Sequence, residues 1–251
     1  MTSNIGIVIL AAGLGTRMKS DKAKVLHEIC GRPMIEYVVL TANHVAGPNV
    51  VVVIGHQADL VKKAVMSKGE AIFAYQGQQL GTGHAVMCAM PHIPNTVEQV
   101  VILCGDVPLI RAATIDHLIA NHNAHGRDLS LLAVQVEQPK GYGRVILDPT
   151  GQLIAIVEEK DADAAQKEIN VINSGIYVVN KAFLEWALPQ LRADNAQKEF
   201  YLTDIIKHGH SGGRTIGVVK GGGSAEIIGV NSRDDLQNAE NLMKLMGFEK
   251  S

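Results

Sequence analysis

The sequence lacks an excess of either charge. Its formal net charge is −2, with both signs scattered along the chain. That leaves no long basic face for nucleic acid and no basic patch for a membrane surface. Cysteine is scarce: Cys30, Cys88 and Cys104 are the whole supply. An odd count without close metal spacing reads as reduced, mostly buried thiols of a cytoplasmic protein. No apolar run is long enough to cross a bilayer. Met1 to Asn4 carry no charged region of the kind that opens a signal peptide. No repeat and no low-complexity segment is present. What remains is 251 residues, 47% of them hydrophobic, enough for one sizeable core or a core with a smaller attached lobe.

The stretch Leu10-Ala11-Ala12-Gly13-Leu14-Gly15-Thr16-Arg17-Met18, followed by Lys24, organises the rest. The apolar run Ile5 to Leu10 stops in small residues and two glycines. A strand ending this way exposes backbone at the carboxyl edge of a sheet, where open α/β sheets bind ligands. Gly13 and Gly15 let backbone N–H groups approach a phosphate, and Arg17 and Lys24 supply charge for its oxygens. A dinucleotide loop would need glycine where Met18 stands, and a Walker A loop would end Gly-Lys-Ser/Thr. The competing reading is an ordinary strand-to-helix turn with surface cations.

Strand and helix signals then alternate. A helix is expected from Met34 to Val45, stopped at Gly47-Pro48, then a strand buried on both faces over Val50–Ile54. A helix over Ala58–Met66 and a strand over Ala71–Tyr75 come next. The polar glycine loop 76–83 opens a helix over His84–Met90, and a strand over Val100–Cys104 runs into Gly105-Asp106. Thr114 is expected to cap a helix reaching His125. The pattern is α/β, a mostly parallel Rossmann-like sheet flanked by helices. Later, Val145–Leu147 and Leu153–Val157 flank the turn Asp148-Pro149-Thr150-Gly151 as a hairpin, read as part of an inserted β-rich lobe. A strand over Ile176–Val179 and helices over Phe183–Leu191, Thr203–His210 and Asp234–Met246 follow, with a strand near Thr215–Val219. Gly221-Gly222-Gly223 reads as a flexible loop.

Polar clusters follow these strands. Gln76 with Gly81 and Thr82 can read the imide edge of a base, since an amide both donates and accepts. Asp106, at the end of a buried strand, suits a Mg²⁺ ligand or the cap of the next turn. Gly141 to Arg144, Glu158, Asn173, Tyr201, Thr203 and Asn231 suit sugar hydroxyls and an acetamido group, although each taken singly could be a solvated surface residue. The order of phosphate loop, base loop, carboxylate and distal polar lobe describes a nucleotidyl-transfer site.

The motifs LAAGLGTRM, Lys24-Val25-Leu26-His27, QQLGTGHA (78–85), LCGDVPL (103–109), GYGRV (141–145), VEEKDA (157–162), INSGIY (172–177), EFYLTDII (199–206) and GVNSR (229–233) span nearly the whole chain. In these the sequence resembles the uridylyltransferase domain of the GlmU-type N-acetylglucosamine-1-phosphate uridylyltransferases. The resemblance implies a nucleotidyltransferase domain over 1–251, with a nucleotide-binding part at about 1–128 and a sugar-binding part at about 129–231. The reaction it implies joins UTP and N-acetylglucosamine-1-phosphate into UDP-N-acetylglucosamine and pyrophosphate, with Mg²⁺. Carried over by position, Arg17 and Lys24 hold the triphosphate. Leu10, Ala11, Ala12, Gly13, Gln76, Gly81, Thr82, Cys104, Gly105 and Asp106 lie on the uridine side. Gly143, Glu158, Asn173, Tyr201, Thr203 and Asn231 lie on the sugar side, and Asp106 with Asn231 holds the metal. Relatives using another sugar phosphate or nucleotide, and a silent regulatory module, are the alternatives. Ala23 stands where that family often has proline, which should loosen the loop slightly, and Glu159 stands where histidine is frequent. The hexapeptide repeats of bifunctional members are missing, so no acetyltransferase activity is expected, and a monomer or weak homo-oligomer is.

Overall fold

Runs such as Ile5–Leu10 and Val50–Ile54 are too rich in β-branched residues for a surface helix and too apolar for an exposed strand. They therefore form strands covered on both faces. In the computed structural model, which describes residues 4–13, 15, 18, 20–221, 224–227 and 229–245, the elements follow in this order. The strand β1 (Ile5–Leu10) leads through a 3₁₀ turn at Lys24–Leu26 to the short strands β2 (Glu28–Ile29) and β3 (Arg32–Pro33). Next come α1 (Met34–Ala46), β4 (Val50–Ile54), α2 (Ala58–Met66), β5 (Ile72–Tyr75), α3 (Thr82–Ala89), β6 (Gln99–Cys104) and α4 (Ala112–Ala124). The second half holds β7 (Leu129–Gln135), β8 (Arg144–Leu147), β9 (Leu153–Val157), α5 (Ala164–Lys167), β10 (Val171–Asn180) and α6 (Lys181–Ala187). The chain continues with α7 (Asp204–Ser211), β11 (Ile216–Lys220), α8 (Ser224–Ile227) and α9 (Arg233–Leu245).

The main sheet runs β11-β7-β10-β6-β1-β4-β5. Pairs β1–β4, β1–β6, β4–β5 and β7–β11 are parallel, whereas β10 runs antiparallel to both its neighbours. One core cluster packs α1, α2 and α4 on one face, through residues such as Val38, Val61 and Leu118. The other packs α3, α6 and α7 on the opposite face, through Val86, Phe183 and Ile205. A smaller cluster seats α9 on Ile29, Tyr37 and Leu109. The hairpin β8–β9 joins the sheet where Arg144 lies opposite Ile172 of β10, beside the Asn173 N–H that donates to the Gly143 carbonyl at 2.9 Å. The strands that flank the proposed sugar side therefore belong to the same sheet as the nucleotide side.

Two local expectations change. Thr114 does not cap α4: Arg111 is the residue before its first turn, and the Thr114 hydroxyl donates to Glu226 at 3.0 Å. A buried carboxylate on α8 outcompetes the helix end for that hydroxyl. The strand expected at Ile176–Val179 starts earlier, at Val171, and its register with β7 shifts between Asn173 and Tyr177. Gly175, at φ +77°, sits within this irregularity. Such bulges re-aim side chains beside functional clefts, and a strand signal broken by Asn-Ser-Gly hides them from a period-two reading.

Candidate active site

Four strand ends build the floor of the site. Leu10 ends β1, Cys104 ends β6, Tyr75 ends β5 just before Gln76, and the irregular stretch of β10 carries Asn173. A cavity of about 430 Å³ is lined by Leu10, Ala12, Gly13, Gln76, Gly81, Thr82 and Cys104, together with Gly15, Gln79 and Glu199. A second, of about 200 Å³, is lined by Gly143, Glu158, Asn173, Thr203 and Asn231 with their neighbours. The two share Leu10, Thr82, Cys104 and Asp106.

At their junction the Lys24 ammonium donates to Asp106 Oδ2 and, at 2.6 Å, to Asn231 Oδ1. The chain builds this cluster deliberately. Gly15 has φ +66°, and a Cβ there would stand 2.6 Å from the Lys24 Cβ, so the missing side chain is what lets the Lys24 stem lie in place. The Ala23 N–H donates to Gln57 Oε1 at 2.9 Å, and Gln57 Nε2 donates to the Asp21 carbonyl at 2.9 Å. A proline at position 23 would have no N–H for that bond. The loop is therefore pinned through Gln57 where Ala23 alone suggested loosening. Asn231 Nδ2 donates to the Gly229 carbonyl at 3.0 Å, which turns its oxygen toward Lys24. The Val230 N–H donates to the Asp106 carbonyl at 2.9 Å and holds the two segments together.

A hard divalent cation fits this donor set. Asp106 and Asn231 present a carboxylate and an amide oxygen to one cation, here the lysine ammonium, and Mg²⁺ is commonly held by one or two protein oxygens with the rest of its shell filled by water and phosphate. Among the described residues no group of three or more His, Cys, Asp or Glu converges on a metal position.

On the second cavity's side, Glu158 accepts from the Thr203 hydroxyl at 3.1 Å. Burial pushes its carboxyl above the usual range, with Asp161, Asp204 and Glu199 adding to the shift and Thr203 opposing it. Asn173 Oδ1 accepts from the Gly175 N–H and from the Tyr177 hydroxyl, each at 2.9 Å. With its oxygen so engaged, Asn173 has its NH₂ left to offer a ligand. A Cβ on Gly143 would lie 2.8 Å from Ile156 Cγ2 and 3.3 Å from a Glu158 oxygen, so only glycine lets this loop close against Glu158. Glu159 donates nothing to the sugar side. Its carboxylate pairs with Arg144 at 2.7 Å and accepts from the Gly141 N–H at 3.1 Å, clipping the loop from behind.

Some expected residues stand apart from the cavity walls. Ala11 is buried and its N–H is spent on the Val53 carbonyl. Gly105 is held off the cavity walls by its packing: its Cβ position faces Ile35 and Val25 at 3.0 Å. Tyr201 is buried, and its hydroxyl donates to Asp161 at 3.0 Å, so it supports the neighbouring wall. Burial raises the Cys104 thiol to about 12, which leaves it a neutral wall residue. Arg17 lies outside the described residues, as do Gly222 and Gly223. Gln79, Glu199, Ser174, Tyr177 and Gly229 line the cavities without having been singled out. Each lies inside a motif quoted above, so the motif was the available signal.

Two adjoining cavities over the carboxyl ends of parallel strands, joined by a carboxylate–lysine–amide cluster, are the arrangement of a nucleotide-transfer domain. The profile of the MobA-like NTP transferase domain matches residues 7–171, and the chain belongs to that family. Over 242 residues it is 44% identical to the bifunctional protein GlmU of Geotalea uraniireducens, covering 96% of this chain and 53% of that protein. The GlmU of Caldanaerobacter subterraneus subsp. tengcongensis is 47% identical over 243 residues, and that of Clostridioides difficile 43% over 241. The chain thus spans about half the length of the curated relatives it matches. The crystal structure of HddC from Yersinia pseudotuberculosis complexed with GMP-PN shares the fold, with a TM-score of 0.70 at 20% identity over 95% of this chain and 99% of that one. Among the described residues no helix is long and apolar enough to cross a membrane.

Proposed function

We propose that the chain transfers the uridylyl group of UTP to N-acetylglucosamine-1-phosphate, releasing pyrophosphate, with Mg²⁺ held by Asp106 and Asn231. The observation that carries this reading is the meeting of two unlike cavities at Asp106: one walled by small residues and the Gln76 amide, the other by Glu158, Asn173 and Thr203. The first suits a flat base and ribose, and the second a polyhydroxylated, acetamido-bearing ring. The division into a nucleotide part at about 1–128 and a sugar part at about 129–231 belongs to the same proposal.

The sugar phosphate is already an anion near neutral pH, so it needs no general base. Catalysis then rests on in-line positioning and on neutralising charge as pyrophosphate leaves. Lys24, and Arg17 by its place in the loop, would stabilise that charge. Lys24 pairs with Asp106, and it would be available to triphosphate oxygens where another cation takes the carboxylate. Mg²⁺ at that carboxylate would screen the repulsion between the two phosphates. Glu158 and Thr203 would accept and donate to ring hydroxyls, and the Asn173 NH₂ would donate to the acetamido carbonyl.

The test is pyrophosphate release with Mg²⁺ and UTP, using N-acetylglucosamine-1-phosphate and glucose-1-phosphate in separate reactions. Release with the acetylated sugar alone is the expected result. Release with glucose-1-phosphate alone would reassign the sugar side, and silence with both would remove the enzymatic reading.

A further inference from the structure

We propose that His84 is a positioning residue that, together with the Gly81 carbonyl, fixes the hydrogen-bonding sense of Gln76, so that the first cavity selects a base carrying an N–H at ring position 3, as uracil and thymine do. The proposal rests on the reading of that cavity as the base site. Gln76 is 3% exposed and lines the cavity. One end of its amide lies 3.0 Å from the Gly81 carbonyl and 3.1 Å from His84 Nδ1. A backbone carbonyl only accepts, so that end is the NH₂. One proton goes to Gly81, and the other to Nδ1, provided Nδ1 is bare.

The far side of the ring supports that tautomer. His84 Nε2 lies 3.8 Å from Cys88 Sγ, and burial raises the Cys88 thiol, keeping the sulfur neutral. A proton on Nε2 points at this weak acceptor and leaves Nδ1 free to accept from Gln76. The helix α3 sets the spacing, because His84 and Cys88 are one turn apart on it. The ring also leans on Phe200, with centroids 6.5 Å apart. Both amide protons of Gln76 are then spent, and its Oε1 is the amide atom left to face a ligand. An acceptor at that place pairs with the N3–H of uracil or thymine. Cytosine in the same pose turns a bare nitrogen toward it, and two acceptors repel.

The test compares kcat/KM for UTP and CTP in the wild-type chain, His84→Asn and His84→Leu, with melting curves to establish folding. Asparagine places its Oδ1 where Nδ1 stands and should keep the UTP preference within about threefold, as one retained hydrogen bond requires. Leucine removes one of the two acceptors that hold the Gln76 NH₂ in place, and the preference should fall at least about tenfold. A folded His84→Leu chain with an unchanged UTP/CTP ratio would overturn the proposal. Nitrogen-15 shifts of the wild-type His84 ring provide a test that needs no variant. A bare Nδ1 with protonated Nε2 is expected, and a proton on Nδ1 would overturn it. If the wild-type chain used neither UTP nor dTTP, the base-site reading itself would fall, whatever the tautomer.

Discussion

Gly81 offers the sharpest separation of packing from binding. Its φ is +109°, and a Cβ there would stand 2.6 Å from the Phe200 carbonyl oxygen and 2.9 Å from both Glu199 Cβ and the Phe200 nitrogen. Two of those neighbours are backbone atoms that no rotamer change can move. Gly81→Ala therefore carries a backbone penalty of about 1–3 kcal/mol. It also forces the 199–203 segment away from the loop. That segment is tied there by Phe200 N–H to the Leu80 carbonyl at 2.7 Å and by Gly83 N–H to the Phe200 carbonyl at 2.8 Å. Weakening both adds roughly 0.5–1.5 kcal/mol each, for a total of about 4 kcal/mol. In a chain of this size that lowers Tm by about 8–16 °C. Gly13 lines the same cavity, yet a Cβ on it meets nothing within 4 Å among the described residues and its φ is not positive. Gly13→Ala should leave stability within about 0.5 kcal/mol while raising the KM for UTP, because the added methyl enters the cavity. Calorimetric melting together with pyrophosphate release at varied UTP reads both effects. A Gly81→Ala chain melting within about 2 °C of wild type would refute the reasoning.

Asp106→Ala should cut pyrophosphate release by about 10²-fold or more with an unchanged circular dichroism spectrum, and normal turnover with Mg²⁺ would end the metal assignment. Asn173→Ala should raise the KM for the sugar phosphate well above any change for UTP, since Asn173 lines the second cavity and not the first, and equal rises in both would remove it from the sugar side. Glu158 has a carboxyl held above the usual range mainly by burial. An acid whose folded pKa is raised binds more protons folded than unfolded, so its contribution to stability declines as pH rises from the usual carboxylate value through the raised one. Glu158→Gln should accordingly raise Tm near neutral pH and weaken sugar-phosphate binding. A neutral-pH Tm below wild type would show that the carboxylate is not under strain there.

The parallel half of the sheet was legible because its strands are unbroken β-branched runs separated by glycine and proline stops. Val50–Ile54, every residue of which is buried, is the plain case. Asp106 reads as a metal-type ligand from its place at a strand end and Asn231 only through the family resemblance, and their meeting on Lys24 was not legible, because residues 24, 106 and 231 are joined only by the crossing of distant loops. Gly15 carries a second reason, hidden for the same cause: its missing Cβ makes room for Lys24, a contact no local pattern reveals. Glu159, which stands where that family often has histidine, faces Arg144. A side chain's direction at the end of a hairpin depends on where the hairpin hangs, which its junction with β10 decides.

The arrangement also explains why one short segment carries so specific a motif. Phe200 pairs through its backbone with the base loop at Leu80 and Gly83. Two residues on, the Leu202 N–H donates to the Thr82 hydroxyl at 3.1 Å. The next residue, Thr203, donates to Glu158 at 3.1 Å. The chain turns into α7 at Leu202 and Thr203, so this stretch holds the nucleotide wall with one set of groups and Glu158 with another. A displacement of the base loop cannot then leave Glu158 undisturbed, because hydrogen bonds from residues 200, 202 and 203 join them. The sugar-side wall is accordingly built to take its position from the nucleotide-side wall. A substitution that loosens Thr82 should therefore raise the KM for the sugar phosphate as well as for UTP, even though the Thr82 hydroxyl is bonded to neither Glu158 nor Asn173.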